Sequence, residues 1–326
     1  SSFLHNNFNR CGGYILEDEI TPIKKYFKRS FFQPHPYPSS VKKLDRISDV
    51  IKKVDESKIS GVIKHLSSFQ NRYYRSSHGV ASQKWILDHW LSLVDNQNYS
   101  DGVLYNHSQY PQPSVILTLE GSAYPDKRII IGGHGDSIAG WYPNESTKAP
   151  GADDNASGIA TITEVIRILH KINYRPRHTI HFMSYAAEEV GLRGSNSIAR
   201  SFKERNYQVI GGLQLDMTNF TDDLSRVVLI TDYTTKDHNT YLKKIINRYL
   251  PQVRVVEDKC GYACSDHVSW YRQGYPISFP FETMMKKHNP HIHTKEDTLL
   301  QLSNHTKHAK KYTQIVLAYL LDLDKT

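Results

Sequence analysis

From Val115 onward, short apolar runs alternate with amphipathic stretches, and this rhythm limits the chain to a small set of architectures. Val115-Ile116-Leu117-Thr118-Leu119 and Ile129-Ile130-Ile131-Gly132-Gly133-His134 read as strands. After them the pattern predicts a helix over 157–169, a strand over 179–185, a helix over 194–205 and strands over 212–216 and 227–231. A helix over 238–250, a strand over 277–281 and a last helix over 305–321 complete the series. Upstream, Val50, Val54, Ile59, Val62, Ile63, Leu66 and Phe69 recur at helical spacing from Ser48, and a second amphipathic helix is expected over 82–94. Strands interleaved with helices give an α/β fold: a mixed, largely parallel central β-sheet sandwiched by helices.

With 326 residues the chain can bury a large core without a metal or disulfide staple. Any bound metal is therefore expected to serve function. One catalytic domain is expected over 46–326, preceded over 1–45 by an N-terminal extension, a pro-segment remnant or a loose terminus, among which composition does not choose. Pro34, Pro36, Pro38 and Ser39-Ser40 mark its linker.

The balance of 41 Lys and Arg against 33 Asp and Glu, a net +8, raises the question of a polyanionic partner. The basic residues are scattered, with no accompanying stripe of stacking aromatics, so no nucleic-acid partner is expected. Apolar runs of eighteen residues do not occur, and no membrane association is expected. The first residues lack the layout of a signal peptide, leaving a cytosolic protein or one whose export signal has been removed. Cys260 and Cys264 flank a glycine-containing turn in which a disulfide is geometrically open, and two reduced thiols remain the alternative. A disulfide would favour the exported form.

In parallel sheets ligands bind beyond the carboxyl ends of strands. His134, Glu188 and Asp216 all fall there. Gly132 and Gly133 are expected to let the backbone turn sharply at His134, and Asp136 can support the ring nitrogen facing away from a metal. Asp153-Asp154-Asn155 precedes a helix, where acids serve either as caps or as ligands; Asp154 is placed to bridge two cations. Glu188-Glu189 follows an apolar strand, and neighbours in an extended stretch point opposite ways, so one carboxylate can bind metal while the other moves a proton. Asp216 ends a buried strand and must be paired or metal-bound. His293 has His288 and His291 as rivals. His, Asp and Glu without cysteine suit zinc, with manganese or cobalt as substitutes. Two divalent cations a few ångströms apart would hold an attacking water and a substrate carbonyl. A Gly-x-Ser-x-Gly elbow, a phosphate-cradling loop and a His-Glu-x-x-His helix are all missing from the sequence.

Six ordered segments carry a resemblance: 131–137 around His134, 149–158 around Asp154, 185–195 around Glu188-Glu189, 213–217 around Asp216, 260–267 from Cys260 to His267, and 289–294 around His293. Over Val50 to Leu323 the chain resembles the secreted bacterial leucyl aminopeptidases that carry two zinc ions in one α/β domain. The resemblance implies Asp154 as bridging ligand, His134 and Asp216 on one zinc, and Glu189 and His293 on the other. It implies Glu188 as general base and later acid, Tyr262 as oxyanion stabiliser, Asp136 as support of His134, and a Cys260–Cys264 disulfide. Met217, Ile230, Cys260, Cys264, Phe279, Phe281 and Ile292 become substrate-pocket residues, favouring large hydrophobic first residues such as Leu, Phe or Met. A cis peptide after Asp154 is implied as well. The expected partners are peptide and protein amino termini, acted on by a secreted, extracellular monomer. The alternatives are a Lys/Arg preference, a carboxypeptidase, deacylase or glutaminyl cyclase on the same fold, and a receptor-like relative without activity. Asn155, Met285 and His288 depart from the family's usual Asp, Phe and aromatic.

Overall fold

The computed structural model describes residues 37–38, 44–95, 97–302 and 304–325. The expected extension thus lies largely outside the described residues. Among the described residues eight strands run in chain order: β1 Ser100–Tyr105, β2 Ser114–Leu119, β3 Tyr124–His134, β4 His178–Tyr185, β5 Gln208–Gln214, β6 Arg226–Ile230, β7 Arg254–Asp258 and β8 Phe279–Phe281. The helices are α1 Asp45–Ile51, α2 Glu56–Ser68, α3 Ser77–Leu93, α4 Gly158–Lys171, α5 Arg193–Glu204, α6 Lys236–Tyr249, α7 His267–Arg272 and α8 Lys307–Leu323.

β1-β2-β4-β3-β5 form one sheet and β7-β6-β8 another. They are joined where Gln214 N donates to Ser278 O and Ser278 N to Gly212 O, each at 3.0 Å. At the centre β4, β3 and β5 are parallel, whereas β1 and β2 pair antiparallel at one side. The result is the expected mixed sheet.

Side-chain alternation along the strands explains why helices cover both faces. Ile129 and Ile131 of β3, with Ile180 and Phe182 of β4, enter a core built with α2, α4 and α8. Ile130 and Met183 enter a second core with Ile198 and Phe202 of α5 and Trp270 of α7. Burying one such side chain contributes roughly 1.5–3 kcal/mol.

The helical pattern beginning at Ser48 is two helices, because Asp55 accepts from Ser57 N at 2.9 Å and caps a new start at Glu56. Ser76 Oγ accepts from Gly79 N at 2.8 Å, so α3 begins five residues before the expected 82. The glycines before His134 do not make a turn. They lie in extended β3, where a Cβ at Gly132 would stand 2.2 Å from Tyr185 Oη and one at Gly133 2.4 Å from Leu215 O. Close approach of neighbouring chains is what requires them.

Tyr37, upstream of the expected domain boundary, packs on the catalytic core. Its ring stacks on Tyr241 with centroids 4.9 Å apart, and its hydroxyl donates to Ile210 O at 2.8 Å.

Candidate metal centre

Three adjacent parallel strands aim their carboxyl ends at one place. His134 is the last residue of β3, Asp216 stands two residues beyond β5, and Glu188-Glu189 lies in the turn after β4. The glutamates are not in an extended stretch: Glu188 O accepts from Gly191 N and Leu192 N, both at 2.9 Å, which makes a tight turn. Left-handed backbone at Met217 (φ 56°) and His293 (φ 56°) adjoins or includes candidate ligands, and at Ala187 (φ 55°) it adjoins Glu188. Such positions cost about 1–3 kcal/mol each and cluster where function fixes the geometry.

Two groups of side chains converge. His134, Asp154 and Asp216 form one, and Asp154, Glu189 and His293 the other, with ligand atoms in each group within 4.8 Å of one another. His134 Nε2 lies 3.0 Å from Asp154 Oδ1 and 3.2 Å from Asp216 Oδ1. His293 Nε2 lies 3.1 Å from Asp154 Oδ2 and 2.8 Å from Glu189 Oε2. Asp154 is therefore shared, one oxygen per group. The Asp154–Asn155 peptide is cis. Of the rival histidines, His288 Nδ1 is engaged by Met285 O at 2.6 Å, and neither it nor His291 belongs to a candidate group among the described residues.

The surroundings call for positive charge. Burial first, and neighbouring carboxylates after it, push Glu189 up to about 7 and Glu188 well above the ordinary carboxylate range. Asp266, facing Glu188, is pushed up to about 7 by burial. Burial alone would depress His293, yet Glu189 and Asp154 raise it to about 10. Against burial, Asp216 and Glu188 raise His134 well above its usual value. In the metal-free chain imidazolium protons thus carry the positive charge that divalent cations would supply, and the oxygen and imidazole donor set suits zinc.

Apart from Asp136, the residues that support the ligands were not visible in sequence. Asp136 faces His134 Nδ1 through its carbonyl at 3.2 Å and Oδ1 at 3.4 Å, as expected. Its carboxylate also accepts from Glu188 N at 3.0 Å and Glu189 N at 3.2 Å. One residue therefore orients a histidine and both glutamates. Ser265 Oγ donates to Asp216 Oδ2 at 2.6 Å. Asn155 Nδ2 donates to Leu215 O at 2.9 Å and His134 O at 3.3 Å, while its Oδ1 accepts from Gly158 N at 3.0 Å and Met217 N at 3.1 Å. A carboxylate, acceptor only, cannot make the first two bonds.

Arg72, 1% exposed, donates to Gly135 O at 2.9 Å, Leu66 O at 3.2 Å, Pro150 O at 2.6 Å and Gly151 O at 2.9 Å. It ties the loop after β3 to the loop that leads to Asp154. Arg72→Met leaves these carbonyls without a donor, and at 1–3 kcal/mol for an unsatisfied buried group the expected loss is about 3 kcal/mol or more. Urea denaturation of the metal-free protein measures it.

Tyr262 is half-buried on the loop closed by the Cys260–Cys264 disulfide. Asp232 anchors that loop, accepting from Cys260 N at 3.0 Å and Gly261 N at 2.7 Å. Met217, Ile230, Cys264, Phe279, Phe281 and Ile292 form one apolar cluster, against which Cys260 and Tyr262 pack. All the residues expected to form a pocket therefore lie together, and Asp216 and His293, next in sequence to Met217 and Ile292, join this cluster to the two ligand groups.

The model of peptidase family M28 matches residues 114–320. The chain belongs to peptidase family M28. It is 37% identical over 295 residues to a probable aminopeptidase of Saccharomyces cerevisiae, covering 88% of this chain and 78% of that one. To a probable leucine aminopeptidase of Arthroderma otae it is 34% identical, covering 96% and 85%. Among solved structures, LapB from Legionella pneumophila superposes with a TM-score of 0.81 at 30% identity, covering 89% of this chain and 77% of that one. The resemblance to bacterial enzymes thus extends to fungal ones. The M28 match begins at β2 and takes in every candidate ligand.

Proposed function

We propose that this M28 peptidase is a secreted metallo-aminopeptidase that holds two zinc ions and removes large hydrophobic residues from free peptide amino termini. Aminopeptidase activity agrees with the names of its fungal relatives, and M28 peptidases are zinc-dependent. The observation that carries the two-metal reading is the sharing of Asp154 between His134 and His293, with Glu188 outside both groups. The disulfide supports export to an oxidising compartment. Manganese or cobalt would suit the same ligands. We take the working unit to be a monomer, with residues 46–326 as catalytic domain.

When bound, a metal pair supplies Lewis acidity and lowers the pKa of water. The protein does the rest. Glu188, outside both ligand groups, takes a proton from the attacking water and returns it to the departing amine. Asp136 fixes the backbone of Glu188 and Glu189 so that the two carboxylates keep separate duties. The Tyr262 hydroxyl donates to the carbonyl oxygen as it gains charge. The apolar cluster beside Met217 and Ile292 receives the first side chain.

Metal content by elemental analysis, with initial rates on leucyl, lysyl and acetyl-leucyl amides before and after chelation, tests the proposal. Two zinc per chain, cleavage that requires a free amine, and loss of activity on chelation are expected; equal cleavage of the acetylated substrate would sink it. Burial of a large apolar side chain is worth roughly 1.5–3 kcal/mol, so kcat/KM for leucyl should exceed that for aspartyl substrates by about 10–150-fold. Comparable values would refute the assigned preference.

A pH effect follows from the histidines. In the metal-free fold the carboxylates around His134 and His293 hold both imidazoles above their ordinary range, and an imidazole must give up that proton to ligate a metal. Zinc uptake should therefore release protons, and apparent zinc affinity should fall as pH is lowered. Titration with zinc in weakly buffered indicator solution reads both.

A further inference from the structure

The loop that carries His293 also holds the segment that carries Asp154, and one buried residue makes the connection. Asp297, 1% exposed, accepts from Asp153 N at 3.1 Å on Oδ1 and 3.3 Å on Oδ2, and from Asp154 N at 3.1 Å on Oδ2. Its main-chain carbonyl accepts from Ala152 N at 3.0 Å. Three successive amides end on one residue. Asn289 closes the arrangement, Nδ2 donating to Asp297 Oδ1 and to Asp153 Oδ2, each at 3.2 Å.

The segment held in this way has little support of its own. Residues Ala152–Ser157 form an irregular turn entered through left-handed Gly151 (φ 52°), with no side-chain cap, and with non-helical backbone at Asp154 and Asn155. Amides at such a turn need partners from elsewhere in the fold. Both Asp297 oxygens face donors. An amide in place of the carboxylate would turn an NH2 toward a backbone N–H and leave one of them unsatisfied.

We propose that Asp297 is a positioning residue of the metal centre, aiming the Asp154 carboxylate between the two ligand groups by clamping the backbone on its amino side. Because it follows His293 by four residues, the clamp also sets the distance between that histidine and Asp154. The inference rests on the two-zinc reading and adds a residue outside both ligand groups.

The test is Asp297→Asn, with zinc affinity read by competition against a chromophoric chelator, the melting temperature of the metal-free protein, and kcat and KM on leucyl amide. Since Asp154 is shared, both zinc equivalents should weaken together, by the roughly 10–100-fold typical when a ligand's supporting partner is lost. At saturating zinc, kcat should fall with KM nearly unchanged. Unaltered affinities and kcat, even with a lower melting temperature, would reduce Asp297 to a structural role and overturn the proposal. Weakening of one equivalent alone would overturn it too, since Asp297 would then act through the His293 loop and not through Asp154. If Asp297→Asn does not fold, Asn289→Ala decides by the same criteria, with a smaller loss expected at both equivalents. A wild-type protein that takes up fewer than two zinc ions would count against the two-metal reading itself.

Discussion

Glu188→Gln should lower kcat by roughly 10²–10⁴-fold, the usual contribution of a positioned general base, while the protein keeps its full zinc content. The two halves of that expectation come from different parts of the site. Glu188 lies outside both ligand groups, so metal retention should not depend on it. Its backbone N–H is held by Asp136, which leaves the amide variant in the same turn. Elemental analysis and steady-state kinetics on leucyl amide check both. Loss of zinc together with activity would make Glu188 a ligand, and full activity would remove it from the reaction.

Asp154→Ala should act on the metals as well as the rate, emptying both zinc positions at once. Each of its oxygens faces a different imidazole, at 3.0 and 3.1 Å, and deletion leaves His134 with Asp216 and His293 with Glu189. Two-ligand remnants fall short of the three protein ligands usual in catalytic zinc sites. Losing the metal pair removes several kcal/mol of transition-state stabilisation, so activity should drop by about 10³-fold or more. His134→Ala should instead spare the group formed by Glu189 and His293, and one zinc per chain in that variant against none in Asp154→Ala is the contrast to look for.

The alternation of strands and helices was readable because β3 and β4 are buried on both faces and are mostly apolar through Ile129-Ile130-Ile131 and, His181 and Ser184 apart, Ile180 to Tyr185. β1 and β7 escaped notice: Ser100–Tyr105 is a half-exposed edge and Arg254–Asp258 carries charge at both ends. The ligand residues stood out since buried acids and histidines at strand ends are costly without a partner. Spacing left His288, His291 and His293 unranked. The family resemblance pointed to His293, and the fold gives the physical reason by turning His288 to Met285 O and His293 to Glu189.

What sequence could not convey was the layer behind the ligands. Arg72 looks like one more base in a basic chain until its four carbonyl partners are seen to come from the end of α2 and from two separate loops. Asp297 looks like part of a polar surface run with Lys295 and Glu296, yet it is buried. Periodicity carries no record of hydrogen bonds spanning 60 or 140 residues. The glycines before His134 show the converse: the residue type was noticed, but its reason lay in neighbouring chains.

The seat taken by Tyr37 sets a limit on how far the amino terminus can be shortened. With its ring against Tyr241 and its hydroxyl on Ile210, it works as a stopper in the wall of the catalytic core. A processing cut ahead of it leaves that stopper in place, whereas one behind it exposes an aromatic slot and a bare backbone carbonyl. Any cut that shortens the amino terminus of this peptidase and keeps the fold intact should spare Tyr37.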